Sequence, residues 1–236
     1  DRMLDMGFFP DILWVLERLE NRQQTLLFSA TFPAEVLEAV HEFIPDAEYV
    51  MNDDLDVEVP EIEQFMVRVG RANKLWVLGR LLLQMDADDQ MLVFCNTKRM
   101  VDLLVERLDR HRFSATGIHG DMAQNKRERI IADFRDRKAR IVIATDVAAR
   151  GLDVDGVTHV INYDIPSDSE SYVHRIGRTG RMGRKGEAWS FVSGEDGPLM
   201  TKIISTWNME IAEVDPPKLP DGVNRDPIRK QQDWGE

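Results

Sequence analysis

An α/β fold, with a parallel sheet and helices on both faces, is what this 236-residue sequence predicts, and three observations predict it. Short apolar runs of strand length recur at MLVFC (91–95), SATGI (114–118), RIVIA (140–144) and THVIN (158–162). Segments with helical apolar spacing lie between them, from about Asn73 to Met85, from Lys98 to Leu108 and from Gln124 to Phe134. Strands joined through helices imply right-handed crossovers, and those force a parallel sheet covered on both sides. Ligands of such sheets collect beyond the carboxyl ends of the strands. The polar residues after MLVFC, SATGI and RIVIA are therefore expected on one rim.

Taken in order, Asp1 to Glu20 reads as a loop leading into an amphipathic helix with Ile12, Leu13, Leu16 and Leu19 on one face. Thr25 to Phe28 is apolar enough for a short buried strand, and Ser29, Ala30 and Thr31 lead through Pro33 into a helix carrying Val36, Leu37, Val40 and Phe43. The acidic run NDDLDVEVPE has a proline and no helical period, so 52–61 is expected to link a fragment, 1–51, to the α/β lobe, 62–214. After THVIN comes a helix rich in arginine, then the strand-like EAWSFV from Glu187. The tail, 215–236, holds too much proline and charge for a packed element and is expected to be disordered or draped.

The net charge of −12 argues against a nucleic-acid partner until it is divided along the chain. Residues 1–60 carry −11 and residues 187–236 carry −5, whereas 61–186 carry +4. The acidity lies outside the segment that holds the arginines. One cysteine, Cys95, excludes an internal disulfide framework and suits a reducing, cytoplasmic setting. No apolar run is long enough for a bilayer and no targeting signal is visible, while the abrupt opening DRMLDMGF leads us to expect an upstream part.

The most informative stretch is YVHRIGRTGRMGRKG, residues 172–186, where Arg175, Arg178, Arg181 and Arg184 recur every third residue with glycines between. No carboxylate lies three or four residues from the first three, so an anion from elsewhere is required. Guanidinium forks match phosphate bidentately, and interleaved glycines allow close backbone approach. Ser167 and Glu170 have capping-box spacing ahead of this segment, which favours an ordered helix over a loose Arg-Gly tract. TDVAARGLD, 145–153, offers a threonine hydroxyl for phosphate and Asp153 for a ribose, or else simple caps of the next turn. HGDMAQNKRER, 119–129, is either a solvated helix face or a strip that tracks a phosphodiester chain.

Three phosphate-competent sets on one expected rim carry a family resemblance. In order, DRMLDMGF, SAT at 29–31, VFCNTK at 93–98, GIHGDMAQNKRE, ATDVAARGLD and YVHRIGRTGR resemble the motifs of DEAD-box RNA helicases over residues 1 to about 206. The resemblance implies a RecA-like sheet, ATP and Mg2+ as cofactors and RNA as partner, held through its backbone with little sequence preference. It implies that Asp1 belongs to the magnesium group and that Ser29 and Thr31 couple the nucleotide and RNA sites. Thr97, Lys98, Gly120, Arg127 and Thr145 would hold RNA. Asp153, Arg150, Arg175, Arg178 and Arg181 would meet the nucleotide, with Arg178 or Arg181 as arginine finger and His174 and Arg175 more as braces of the cleft. The sequence has no GxxxxGK[ST] string. The chain thus resembles the end of a first RecA-like lobe plus a whole second lobe, inactive alone and requiring the missing lobe; a protein partner at the tail is a further expectation. A non-enzymatic RNA-binding adaptor and a DNA-unwinding relative are the competing readings.

Overall fold

The computed structural model describes residues 8–28, 34–44, 46–50, 62–149, 156–181 and 183–231. The chain divides into two compact units, 1–57 and 58–236.

The first unit contains helix α1 (Phe9–Arg18), with Pro10 in its first turn where a missing amide hydrogen costs nothing, and helix α2 (Ala34–Phe43). The strand expected at Thr25–Phe28 is not formed. A strand exists only through a hydrogen-bonded neighbour, and the described residues of this unit supply none. Leu26 and Phe28 are 67% and 88% exposed, whereas Val40 is buried. The linker expected at 52–61 lies outside the described residues.

The second unit is a seven-stranded sheet, parallel throughout: β1 (Ile62–Arg68), β2 (Met91–Phe94), β3 (Thr116–Ile118), β4 (Ile141–Ala144), β5 (His159–Asn162), β6 (Gly186–Val192) and β7 (Ala212–Glu213). Their spatial order is β3-β4-β2-β5-β6-β1-β7. The helices are α3 (Lys74–Gln84), α4 (Lys98–Arg110), α5 (Gln124–Arg135), α6 (Asp146–Ala149), α7 (Ser169–Ile176) and α8 (Gly197–Trp207). Strands β1 and β7 and helix α8 escaped the sequence reading. In β1, IEQFMVR, both faces carry apolar side chains, so the alternation that marks a half-exposed strand is blurred.

One sheet face, through Val67, Val93, Ile143 and Phe191, packs on α3 and α4 with Leu78, Leu104 and Leu108 at the centre. On the other, Leu92, Val142 and Val160 pack on α5, and Met66, Ala188 and Val192 pack on α7 and α8. Alternate residues of each strand thus serve opposite helix layers.

Of the two states expected for the tail, residues 215–231 take the draped one. A turn at Pro220–Val223, with Gly222 at φ 83°, sends the chain back along α3. Ile228 is buried there, and the methyl of an alanine at Gly79 would lie 2.8 Å from its Cδ1. Arg80 holds Asp226 with two hydrogen bonds, 2.7 and 3.1 Å, and reaches the Pro217 carbonyl at 2.9 Å. Composition hid this anchor because one isoleucine suffices when α3 offers a glycine notch to receive it.

Candidate functional site

From β2 the chain passes two places across the sheet to β3, steps back to β4, then crosses to the far side of β2 for β5. That reversal opens a crevice above β2 at the carboxyl end. Arg175, on α7, fills it. Although 1% exposed, its guanidinium satisfies all five donors. Nε and Nη2 pair with Asp146 at 2.7 Å each, Nη1 donates to Asp164 O (2.6 Å) and Asn162 Oδ1 (3.3 Å), and Nη2 also donates to Asn96 Oδ1 (2.8 Å). The loops after β2, β4 and β5 are joined at one side chain.

This corrects the nucleotide-binding role expected of Arg175. The anion its spacing demanded comes from inside the lobe, 29 residues upstream, and no N–H remains for a phosphate. The part that fits is the brace. Sequence spacing could not reveal Asp146, Asn96, Asn162 and Asp164 as its partners, since only the strand order brings them together.

Two further expectations about α7 change. Its N-cap is Asp168, not Ser167: Asp168 accepts from the Ser171 amide at 2.7 Å and hydroxyl at 2.8 Å. Burial pushes the Asp168 carboxyl up, but those bonds and the Ser167 hydroxyl outweigh it and leave it below its ordinary value. The helix also ends at Ile176, so Arg178, Arg181 and Arg184 belong to the turns that follow. Gly180 and Gly183 stand at φ 69° and 70°, left-handed conformations that favour glycine. A Cβ at Gly186 would meet the Gly180 amide at 2.5 Å. The three-residue period therefore reports turns and close contacts rather than a helix.

Arg178 and Arg181 are half-buried, and each Nε donates to a carbonyl one turn earlier, His174 at 3.2 Å and Gly177 at 3.0 Å. Between them Thr179 donates to the Val157 and Thr158 carbonyls, at 2.6 and 3.0 Å, just before β5. The arginine series accordingly runs from the carboxyl rim, at Arg175, toward the amino end of β5.

The remaining basic groups do share the rim. Thr97 caps α4 by accepting from Met100 N at 3.1 Å, and Lys98 follows. Helix α5 starts after β3 with Lys126 and Arg127 in its opening turns and no side-chain cap. Neither helix has an acidic residue in its first turn, although the positive end of a helix dipole favours carboxylates there. Asp121, in the loop after β3, answers Lys98; the positive charge that remains at the two N-termini is what an outside anion would relieve. Arg127 adds a buried Nε without a hydrogen-bond partner among the described residues.

Gly120 is exposed, and a Cβ there would meet nothing within 4 Å. Its lack of a side chain answers no internal packing demand and leaves room for a close external contact. Thr145 lies beside this loop, its amide 3.4 Å from the Ile118 carbonyl, and its own carbonyl accepts from Ala148 and Ala149. His119 Nε2 contacts Asp102 Oδ1 at 3.1 Å and so ties the loop to α4.

Asp1, Ser29, Thr31, Arg150 and Asp153 lie outside the described residues. Among the described ones no group of three or more His, Cys, Asp or Glu could hold a metal, and no helix is long and apolar enough to cross a membrane.

Residues 73–183 match the family model of the helicase conserved C-terminal domain. The chain is 43% identical over 223 residues to the DEAD-box ATP-dependent RNA helicase CshA of Geobacillus kaustophilus, covering 94% of this chain and 48% of that protein. It is 41% identical to CshA of Bacillus subtilis, covering 45% of it. The chain thus spans less than half the length of these relatives. Among solved structures it is similar to S. cerevisiae Dbp5 bound to RNA and ADP BeF3 (TM-score 0.80, 33% identity, 90% of this chain and 57% of that one). It is also similar to the C-terminal domain of the DEAD-box protein Dbp5 (TM-score 0.61, 34% identity, 66% of this chain and 92% of that one).

Proposed function

Since the chain belongs to the DEAD-box helicase family, we propose that it supplies the RNA-gripping, arginine-bearing lobe of an ATP-dependent RNA helicase. That enzyme couples RNA-stimulated ATP hydrolysis to local duplex unwinding or to remodelling of RNA–protein complexes. The observation that carries the reading is the pair of rim helices, α4 and α5, whose first turns hold cations and no carboxylate. A phosphodiester backbone supplies the missing charge, and such contacts carry little sequence information.

ATP supplies the phosphoryl group whose hydrolysis drives the cycle. Arg178 and Arg181 are the chain's groups for its phosphates, their stems fixed by the carbonyls of His174 and Gly177. An arginine finger is worth on the order of 10³ to 10⁵ in rate, or roughly 4–7 kcal/mol of barrier at about 1.36 kcal/mol per decade. Arg175 keeps the loops of the rim in register. ATP held between Arg178 and Arg181 of this lobe and a second lobe would close the cleft, and that closure would bend RNA gripped along the rim.

Asp153 and Arg150 belong to the same proposal as groups for the ribose and nucleotide, Asp1 as part of the Mg2+ site, and Ser29 and Thr31 as the couplers of the two sites. A reducing, cytoplasmic setting is the reading that fits a sequence with one cysteine and so no internal disulfide. A protein partner at the tail is supported by Arg225 and Arg229, both exposed on the draped segment 215–231, the strap along α3.

The test uses the 236-residue chain alone and, side by side, a longer protein in which a lobe with a GxxxxGK[ST] loop precedes it. The chain alone should bind single-stranded RNA weakly without ATPase above background, since it carries no GxxxxGK[ST] string. In the longer protein RNA should stimulate ATPase, and Arg178→Ala should abolish it while leaving the melting temperature nearly unchanged. Turnover by the chain alone would defeat the proposal. So would RNA binding by the longer protein with no ATPase, which would favour a non-enzymatic adaptor. Preferential capture of DNA strands in competition would move the reading to a DNA-unwinding relative.

A further inference from the structure

We propose that Asp121 is an internal counter-anion: it occupies Lys98 while the rim is free of RNA and is displaced when a phosphate arrives, so that it sets RNA affinity. The inference rests on the reading of the rim as an RNA site.

Lys98 opens α4, where the helix dipole disfavours a cation, and Arg99 follows it with no acidic residue in that turn. The anion that answers Lys98 comes from the loop after β3: Lys98 Nζ lies 2.5 Å from Asp121 Oδ2. Both side chains are 60% exposed. The bond from Lys98 holds the Asp121 carboxyl below its ordinary range, so it is charged at neutral pH.

Asp121 directly follows Gly120, the residue whose open side invites a close contact. A phosphate approaching Gly120 and the α4 N-terminus meets Asp121 first. Two anions cannot both hold one ammonium at hydrogen-bond distance without repelling each other. Asp121 can give way because no packing fixes it, whereas the neighbouring His119 ring is buried and tied to Asp102. The loop backbone stays in place and the carboxylate swings off.

Displacement alters affinity and leaves the number of phosphates neutralised as it was: Lys98 meets one phosphate with or without Asp121, so the slope of log affinity against log salt, about 0.7 per contact for a single strand, stays the same.

The experiment measures binding of a fluorescent oligouridylate to the full chain across a salt series. The variants are Asp121→Asn, Lys98→Ala, their double variant and Asp136→Asn. Asp136 is a matched control: it pairs with Lys138 at 2.8 Å, is likewise held below its ordinary pKa by that bond, and lies at the C-terminal end of α5, away from the rim. Asp121→Asn should bind about two- to fivefold more tightly, the range of one exposed ion pair, with the slope unchanged, whereas Lys98→Ala should lower it by about 0.7. The gain should vanish in the Lys98→Ala background, and Asp136→Asn should change nothing. Equal or weaker binding by Asp121→Asn overturns the proposal, as does a gain that survives without Lys98 or is matched by Asp136→Asn. Failure of both wild type and Asp121→Asn to bind RNA would instead overturn the reading of the rim, and this inference with it.

Discussion

Removing the buried Arg175 guanidinium would leave the Asp146 carboxylate and three further acceptors without their donor, which is costly inside a lobe. Lysine at 175 would keep the charge but could not bridge Asn96, Asp146, Asn162 and Asp164, which surround a planar fork with five donors. The sequence marked this arginine as needing an anion. It could not say whether the anion was a ligand or an aspartate of the same lobe, because strand order makes that choice. The capping residue of α7 was misread by one position for a simpler reason: Ser167 and Asp168 are both good caps, and only geometry separates them. Replacement of Asp168 by alanine should cost about 1 kcal/mol in urea unfolding, whereas Ser167→Ala should stay within about 0.5 kcal/mol.

Elements were most legible where helical period and short apolar runs alternated, from α3 through β5. Legibility failed at β1, whose faces are both apolar, and at Thr25–Phe28, where a strand-like run lacks a described neighbour to pair with. It also stopped short at the strap, where average composition concealed one anchoring contact between Ile228 and the Gly79 notch of α3. Ile228→Ala should lower stability by about 2–3 kcal/mol. Gly79→Ala alone should also destabilise, because its methyl enters Ile228 space. The two together should be no worse than Ile228→Ala alone, since the shortened side chain clears the clash. Additive losses in that double-mutant cycle would mean that Ile228 does not pack against the Gly79 notch.

For the whole molecule, charge decides how stability follows pH. Asp168, Asp196 and Asp226 all sit below their ordinary carboxyl values. At Asp226 the bond from Arg80 is the main cause; at Asp196 burial pushes up but bonds from Ser193 and the Lys74 ammonium outweigh it. A carboxyl depressed by folding stabilises above its unfolded value, near 3.9, and that contribution is lost as pH falls through the folded value. The melting temperature should therefore hold between about pH 7 and 5 and drop below about pH 4. Asp226→Asn should remove part of that acid-side drop. A melting temperature that is flat down to pH 2 would contradict the assignment.

The strap has a practical consequence. Gln231 and Asn73 exchange two hydrogen bonds, at 2.7 and 3.3 Å, where α3 begins beside the carboxyl end of β1. Three strand spacings, about 15 Å, separate that point from β2 along the sheet, and Lys98 follows β2 directly. A dye coupled at position 231 would thus be a proximity probe for nucleic acid, and its emission could follow binding in real time without labelling either ligand.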